Sequence, residues 1–275
     1  MDNCNVIAIT NQKGGVGKTT TPLNLGVGLS REGKRVLLID ADPQGSLTIS
    51  LGYKNPDEIR TTVASVMQQI ISDEELPSSM GILHHEEGID LVASNIELSA
   101  LEVSLFNVMN REYVLKNYIE RVKPSYDYIL IDCMPSLGMM NINALVAADS
   151  VIIPCQPSFL STKGLSLLMQ SISKVKRQIN PALHIDGILL TMVDSRTNNA
   201  RNIINSLRQV GAGLNVFSTE IPHSVRAAEA TLEGESIFKY DAKGKVADAY
   251  GKLAKEVSGL ERTKEHRSRS EECVR

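Results

Sequence analysis

Seven short runs of largely apolar, β-branched residues punctuate the chain: Val6–Thr10, Val36–Asp40, Ile89–Ala93, Tyr128–Asp132, Val151–Pro154, Ile185–Met192 and Val216–Ile221. They are continuously apolar instead of alternating, so the strands they form must be covered on both faces, and the longer amphipathic stretches between them supply that cover. The pattern predicts an α/β fold, a single-domain doubly wound and mainly parallel sheet flanked by helices on both faces. Ligands are expected beyond the carboxyl ends of its strands. With 275 residues, 42% of them hydrophobic, the chain can bury one substantial core.

Charge and cysteine usage narrow the function. Lysine and arginine number 29 against 32 aspartates and glutamates, a formal net charge of −3, so any contact with nucleic acid must come from a local patch. Cys4, Cys133, Cys155 and Cys273 lack the close pairing of a zinc site and read as cytosolic thiols. No apolar run approaches the roughly 20 residues that cross a bilayer. A soluble, cytoplasmic protein is expected, with no membrane contact. Tyr53 to Glu87 reads as a peripheral insertion around one helix, Glu58 to Ile71, while Leu98, Leu101, Leu105, Val108, Val114, Tyr118 and Val122 form a core-facing stripe. Residues 1–258 are assigned to one domain and 259–275 to a polar, poorly ordered tail.

The strongest chemical signal is Lys13-Gly14-Gly15-Val16-Gly17-Lys18-Thr19-Thr20, between the first strand and a helix beginning near Lys18. Glycines there open backbone conformations closed to other residues, so that the N–H groups of Gly14, Gly15, Val16 and Gly17 can face phosphate oxygens. Lys18 then neutralises the β- and γ-phosphates, Thr19 offers its hydroxyl to Mg²⁺, and Thr20 reaches the α-phosphate, helped by the positive end of the helix. This places the fold among P-loop NTPase-like sheets. Gln12 stands where the common phosphate-loop pattern has its first glycine, and Pro22 falls in the early helix, where a missing N–H is tolerated only in the first turn.

Two further strands end in carboxylates at the same predicted edge. One gives Asp40-Ala41-Asp42-Pro43-Gln44-Gly45, the other Ile131-Asp132-Cys133-Met134-Pro135-Ser136-Leu137-Gly138. Each alone could be a strand-end turn or a buried, hydrogen-bonded aspartate. Beside a lysine-bearing glycine loop they have the composition of a nucleotide and metal site.

Together these segments resemble the ParA/MinD superfamily, with Lys13–Thr20 similar to its deviant Walker A motif, Asp40–Gly45 to switch I and Ile131–Gly138 to Walker B and switch II. The likeness continues through Asn141–Leu145, Ile188–Asn198 and Ile221–Arg226. It implies an ATP hydrolase using ATP and Mg²⁺, in which Lys13 and Lys18 stabilise the transferred phosphoryl group, Asp42 orients the attacking water, Asp40 supports the metal site and Asp132 holds Mg²⁺ through water. It further implies a homodimer sandwiching two ATP molecules, Lys13 reaching the partner's phosphates, and Pro222 near the adenine. Core packing explains Pro222 equally well.

Arg196, Arg201, Arg208 and Arg226 occupy the region that in ParA-like proteins binds non-specific DNA, although a solvated helical face would carry the same residues. His223 stands where such proteins often have a basic residue. The resemblance implies a ParB-like centromere-binding partner and a nucleoid-associated location. With nothing before the first strand to form a helix-turn-helix, operator binding is not expected. A MinD-like membrane ATPase would need a basic amphipathic C-terminal segment, and a nitrogenase-reductase-like protein would need paired cluster ligands that Cys133 and Cys155 do not match. A nucleotide-gated adaptor that ignores DNA would show the same ATPase motifs.

Overall fold

The computed structural model describes residues 4–75, 77, 79–136, 138–157, 163–194 and 215–272. Its strands are β1 (Asn5–Ile9), β2 (Val36–Ala41), β3 (Ile82–His85), β4 (Ile89–Val92), β5 (Tyr128–Cys133), β6 (Ser150–Cys155), β7 (His184–Val193) and β8 (Val216–Pro222). They form one sheet in the order β3-β4-β2-β5-β1-β6-β7-β8. Every pairing is parallel except that of β3 with β4. All seven strands expected from the sequence are present; β3 is the addition. It was illegible because Ile82-Leu83-His84-His85 is short, only partly buried and paired on one side.

The apolar runs divide by parity. Val6, Ala8, Leu37, Ile39, Ile129, Ile131, Val151 and Ile153 point into one core. Ile7, Ile9, Leu38, Tyr128, Leu130 and Ile152 point into the other. Successive side chains on a strand face opposite ways, so covering both faces requires apolar residues at every position. The first core is closed by α3 (Val63–Ile71), α4 (Glu97–Ser104), α5 (Val114–Val122), α6 (Met139–Ala147) and α7 (Lys163–Gln178). The second is closed by α1 (Thr20–Arg31), α2 (Ser46–Ser50), α8 (Val225–Glu233), α9 (Ile237–Tyr240) and α10 (Lys245–Glu272).

The helix expected over Glu58–Ile71 is a 3₁₀ turn at Pro56–Glu58 followed by α3 from Val63, where the Thr62 amide donates to Ser65 Oγ at 2.7 Å and closes the first turn. The stripe from Leu98 to Val122 faces the core, with Leu98, Leu101, Leu105, Val114, Tyr118 and Val122 buried and Val108 packed against them. Through the polar tail from residue 259, α10 runs on as far as Glu272. Its Glu, Arg, Lys and Ser residues are compatible with helix, and an already formed helix extends at far lower cost than a new one nucleates.

Candidate functional site: a phosphate loop between two aspartate-bearing strands

Register decides what meets at the carboxyl edge. β5 lies between β1 and β2, with Ile9 opposite Asp132 and Asp40 opposite the same Asp132. The loop leaving β1 and the two aspartates are therefore neighbours across three adjacent strands, as the shared edge required. Gly15 and Gly17 take φ values of +69° and +82°, conformations that a side chain would strain. The amide of Thr21 already donates to Gly17 O at 3.0 Å, so α1 begins winding from the loop itself. Pro22 lies within this first turn, which explains why it is tolerated.

The loop is fastened from below and from both sides. Asn11 donates through Nδ2 to Pro154 O at 2.7 Å and accepts the Lys13 amide at 3.1 Å. Thr191 Oγ1 donates to Val16 O at 2.7 Å, and Gln156 Nε2 to Gly15 O at 3.2 Å. The same Gln156 amide reaches Met192 Sδ, tying the end of β7 to the loop. Lys18 extends back along the loop, its Nζ donating to Lys13 O at 2.6 Å. Only 8% of Lys18 is exposed, and burial lowers its pKa against the opposing pull of Asp132, Asp42 and Cys133. The ammonium is thus held close to the acidic strand ends.

Asp40 and Asp132 are both buried, yet their surroundings differ. Asp40 Oδ2 accepts from the Thr48 amide at 2.9 Å and the Thr48 hydroxyl at 2.8 Å, and Oδ1 accepts from the Asp42 amide at 3.2 Å. Burial nonetheless raises its pKa to about 6. Neither oxygen of Asp132 accepts a full hydrogen bond. Burial and the neighbouring Asp40 raise its pKa well above the usual carboxylate range, while the nearby Thr19 hydroxyl and Lys18 only partly counter them. Two orphaned carboxylate oxygens facing a threonine hydroxyl and a lysine are the donor set that a hard divalent cation shared with phosphate oxygens would satisfy. Thr19 and Asp132 therefore fit Mg²⁺. Asp40 braces the segment after β2 through Oδ2, which accepts both Thr48 bonds, while Oδ1 accepts only the Asp42 amide and keeps capacity to support the neighbouring site.

Asp42, half-buried, lies above Asp40, accepting the Gln44 amide at 2.9 Å through Oδ1. Gly45 then turns with φ +61°, and a Cβ there would lie 2.9 Å from Ser94 O. That turn is fixed to β4 through Thr48, whose Oγ1 accepts the Ser94 amide at 3.0 Å. Cys133 is buried and its thiol is pushed up by burial and by Asp132; burial also lifts Cys155, to about 11. Both read as packing, not as nucleophiles.

Arg196, Arg201 and Arg208 lie outside the described residues, as does Cys273. Arg226 opens α8, its side chain 61% exposed, with Nη1 3.5 Å from Asp241 Oδ1. Pro222 closes β8 opposite Val193 and lines a cleft with Ala249 of α10. Thr48, Gln156, Thr191 and Thr10 were not singled out in the sequence. The signal available for Thr10 and Thr191 was a hydroxyl at the end of an otherwise apolar strand; Thr48 and Gln156 offered none.

An open parallel sheet with a glycine loop leading into a helix and carboxylates on adjacent strand ends defines a P-loop nucleotide-binding protein. A family model described as an AAA domain, AAA_31, matches residues 4–185. The sporulation initiation inhibitor protein Soj of Bacillus subtilis is 43% identical over 253 residues, covering 92% of this chain and 98% of its own length. The chromosome partitioning protein ParA of Caulobacter vibrioides is 38% identical over 262 residues, covering 94% and 96%. Among solved structures, cobyrinic acid a,c-diamide synthase of Mycobacterium smegmatis with a bound ATP analogue and magnesium superposes with a TM-score of 0.79 at 36% identity, covering 92% and 93%. The septum site-determining protein MinD of Pyrococcus horikoshii, complexed with Mg-ADP, superposes at 0.70 and 25% identity, covering 94% and 97%. The chain belongs to the ParA family of P-loop ATPases. No described helix is long and apolar enough to cross a membrane.

Proposed function

We propose that this protein is a DNA-partition switch that binds ATP with Mg²⁺, pairs around two nucleotides, grips non-specific DNA in that state and lets go after slow hydrolysis stimulated by a ParB-like partner. The observation that carries the nucleotide chemistry is the register Ile9–Asp132–Asp40, which sets the phosphate loop beside the orphaned carboxylate. Gly14, Gly15, Val16 and Gly17 present amides to the phosphates, Lys18 moves its ammonium from Lys13 O to the β- and γ-oxygens, and Thr20 meets the α-phosphate. Thr19 and Asp132 hold Mg²⁺, which supplies charge neutralisation at the transferred phosphoryl group. Asp42 orients the water in line. Lys13 of each chain completes the charge balance across the pair.

Pairing has support on the surface. Ile96, Val103, Phe106 and Met109 are all more than half exposed and crowd one short stretch of chain beginning where β4 ends. Such crowding of exposed apolar residues supports an association surface there. DNA binding rests on Arg196, Arg201, Arg208 and Arg226 and on the Soj and ParA likeness. A nucleotide-gated adaptor without DNA is the second reading, favoured by the ion pair that occupies Arg226.

The test is binding to non-specific duplex DNA with ATP, with ADP and without nucleotide across a salt series, using Lys13→Ala and Arg196→Glu as controls. ATP-dependent, salt-sensitive binding lost in both variants supports the switch. ATP-driven pairing with no DNA affinity in any state leaves the adaptor.

A further inference from the structure

One buried side chain joins the base of the phosphate loop to the segment after Asp132, and the nucleotide chemistry does not use it. Asn141 is the third residue of α6 and only 2% exposed. Its Oδ1 accepts the hydroxyl of Thr10 at 3.3 Å, and its Nδ2 donates to the carbonyl of Ser136. Thr10 is the residue after β1, itself fully buried, with its amide donating to Ile152 O at 3.2 Å; the next residue, Asn11, anchors the loop through Pro154 and Lys13. Ser136 lies in the segment between Asp132 and α6. We infer that Asn141 is a positioning residue that holds the switch II segment at a fixed height relative to the phosphate loop, so that nucleotide-dependent movement in one is felt by the other. This rests on the nucleotide-binding reading above.

The chemistry of the side chain explains the choice of asparagine. A carbonyl can only accept, so the end facing Ser136 must be the NH₂, which leaves the oxygen for the Thr10 hydroxyl. Aspartate would set an acceptor against an acceptor, and alanine would leave a buried hydroxyl and a carbonyl without their shared partner. The rest of the α6 amino terminus is already fixed independently. Glu102 Oε1 accepts the Met140 amide at 3.1 Å, and Asn143 accepts the Leu115 amide at 3.1 Å while donating to Met139 O at 3.0 Å and Arg111 O at 2.9 Å. Removing Asn141 should therefore release the segment before the helix without releasing the helix.

The experiment combines Asn141→Ala, Asn141→Asp, Thr10→Val and the Asn141→Ala/Thr10→Val double variant, each measured by ATP affinity, steady-state turnover and amide hydrogen exchange of the nucleotide-free protein. Expected are ATP affinity within about 3-fold of wild type, turnover lower by about 10- to 100-fold as for a small misplacement of reacting groups, and a double variant no worse than the poorer single one. Exchange should rise at Met134, Ser136 and Gly138 and stay unchanged in the central strands. Unaltered turnover, additive losses, or accelerated exchange spread over the whole sheet would overturn the assignment. If wild type itself binds no ATP, the functional reading falls, while the exchange measurement still decides whether Asn141 restrains this segment.

Discussion

The ends of β2 and β5 carry the same residue type in register, and the protein treats them in opposite ways. Asp40 is enclosed by donors from Thr48 and Asp42, while Asp132 faces the phosphate loop with both oxygens unsatisfied. One carboxylate has been absorbed into the architecture of switch I. The other keeps unused acceptor capacity beside the Thr19 hydroxyl and Lys18, which a proton or an incoming cation would relieve. Burial by itself therefore does not single out a candidate metal ligand; acceptor capacity left unused does so better.

The comparison breaks most sharply in turnover. Asp132→Ala and Lys18→Ala should each lower ATP turnover by about 100-fold or more, the scale seen when a preorganised electrostatic group is removed, as measured by phosphate release. Asp40→Ala is expected to lower thermal stability instead, by about 3 kcal/mol, since it strands the Thr48 amide and hydroxyl in the interior. Asp132→Asn, by contrast, should raise the melting temperature of the nucleotide-free protein while leaving it inactive. If Asp132→Asn is the less stable variant, the unused acceptor capacity assigned to that end of the sheet is wrong.

The pH dependence carries the same contrast. Asp40 has a folded pKa of about 6 against an ordinary value of 3.8, with Asp42 and Asp132 as its charged neighbours and Lys18 beyond them. Between about pH 4 and pH 6 the folded state binds more protons than the unfolded one, so stability falls as pH rises through that window, by up to about 3 kcal/mol for Asp40. Asp132 contributes in the same direction. Denaturant midpoints of the Mg²⁺-free protein at pH 5 and pH 7 should show the loss, and Asp40→Asn should flatten it. A midpoint that rises with pH across this range would show that the hydrogen bonds from Thr48 outweigh burial.

The sequence made the shared edge legible because strand runs and glycine loops are local patterns, and β1, β2 and β5 each announce their carboxyl ends in a few residues. The structure brings Lys18, Thr19 and Asp42 into the neighbourhood of Asp132 at that edge. What the sequence could not distinguish was Asp40 from Asp132, because the difference is made by Thr48 and by a β2–β5 register that lies more than 90 residues apart in the chain. Asn141 was hidden for the same reason, its partners being Thr10 and Ser136. β3 escaped because an edge strand needs neither face continuously apolar.

The smallest effect is expected at Thr48, and it is the finest discriminator. Its hydroxyl donates to Asp40 Oδ2 and accepts the Ser94 amide, so Thr48→Val removes one hydrogen bond to a charged group and strands one amide while keeping the shape of the side chain. A loss of about 1–2 kcal/mol is expected from denaturant unfolding. Because the Thr48 amide still braces Asp40, nucleotide affinity should barely change. The removed donor should also leave Asp40 easier to protonate, so the fall in stability between pH 4 and pH 6 should be steeper and extend to higher pH than in wild type. Were Thr48→Val to abolish Mg²⁺-dependent nucleotide binding as Asp132→Ala does, Asp40 would belong to the metal site after all, and the division of labour between the two strand ends would collapse.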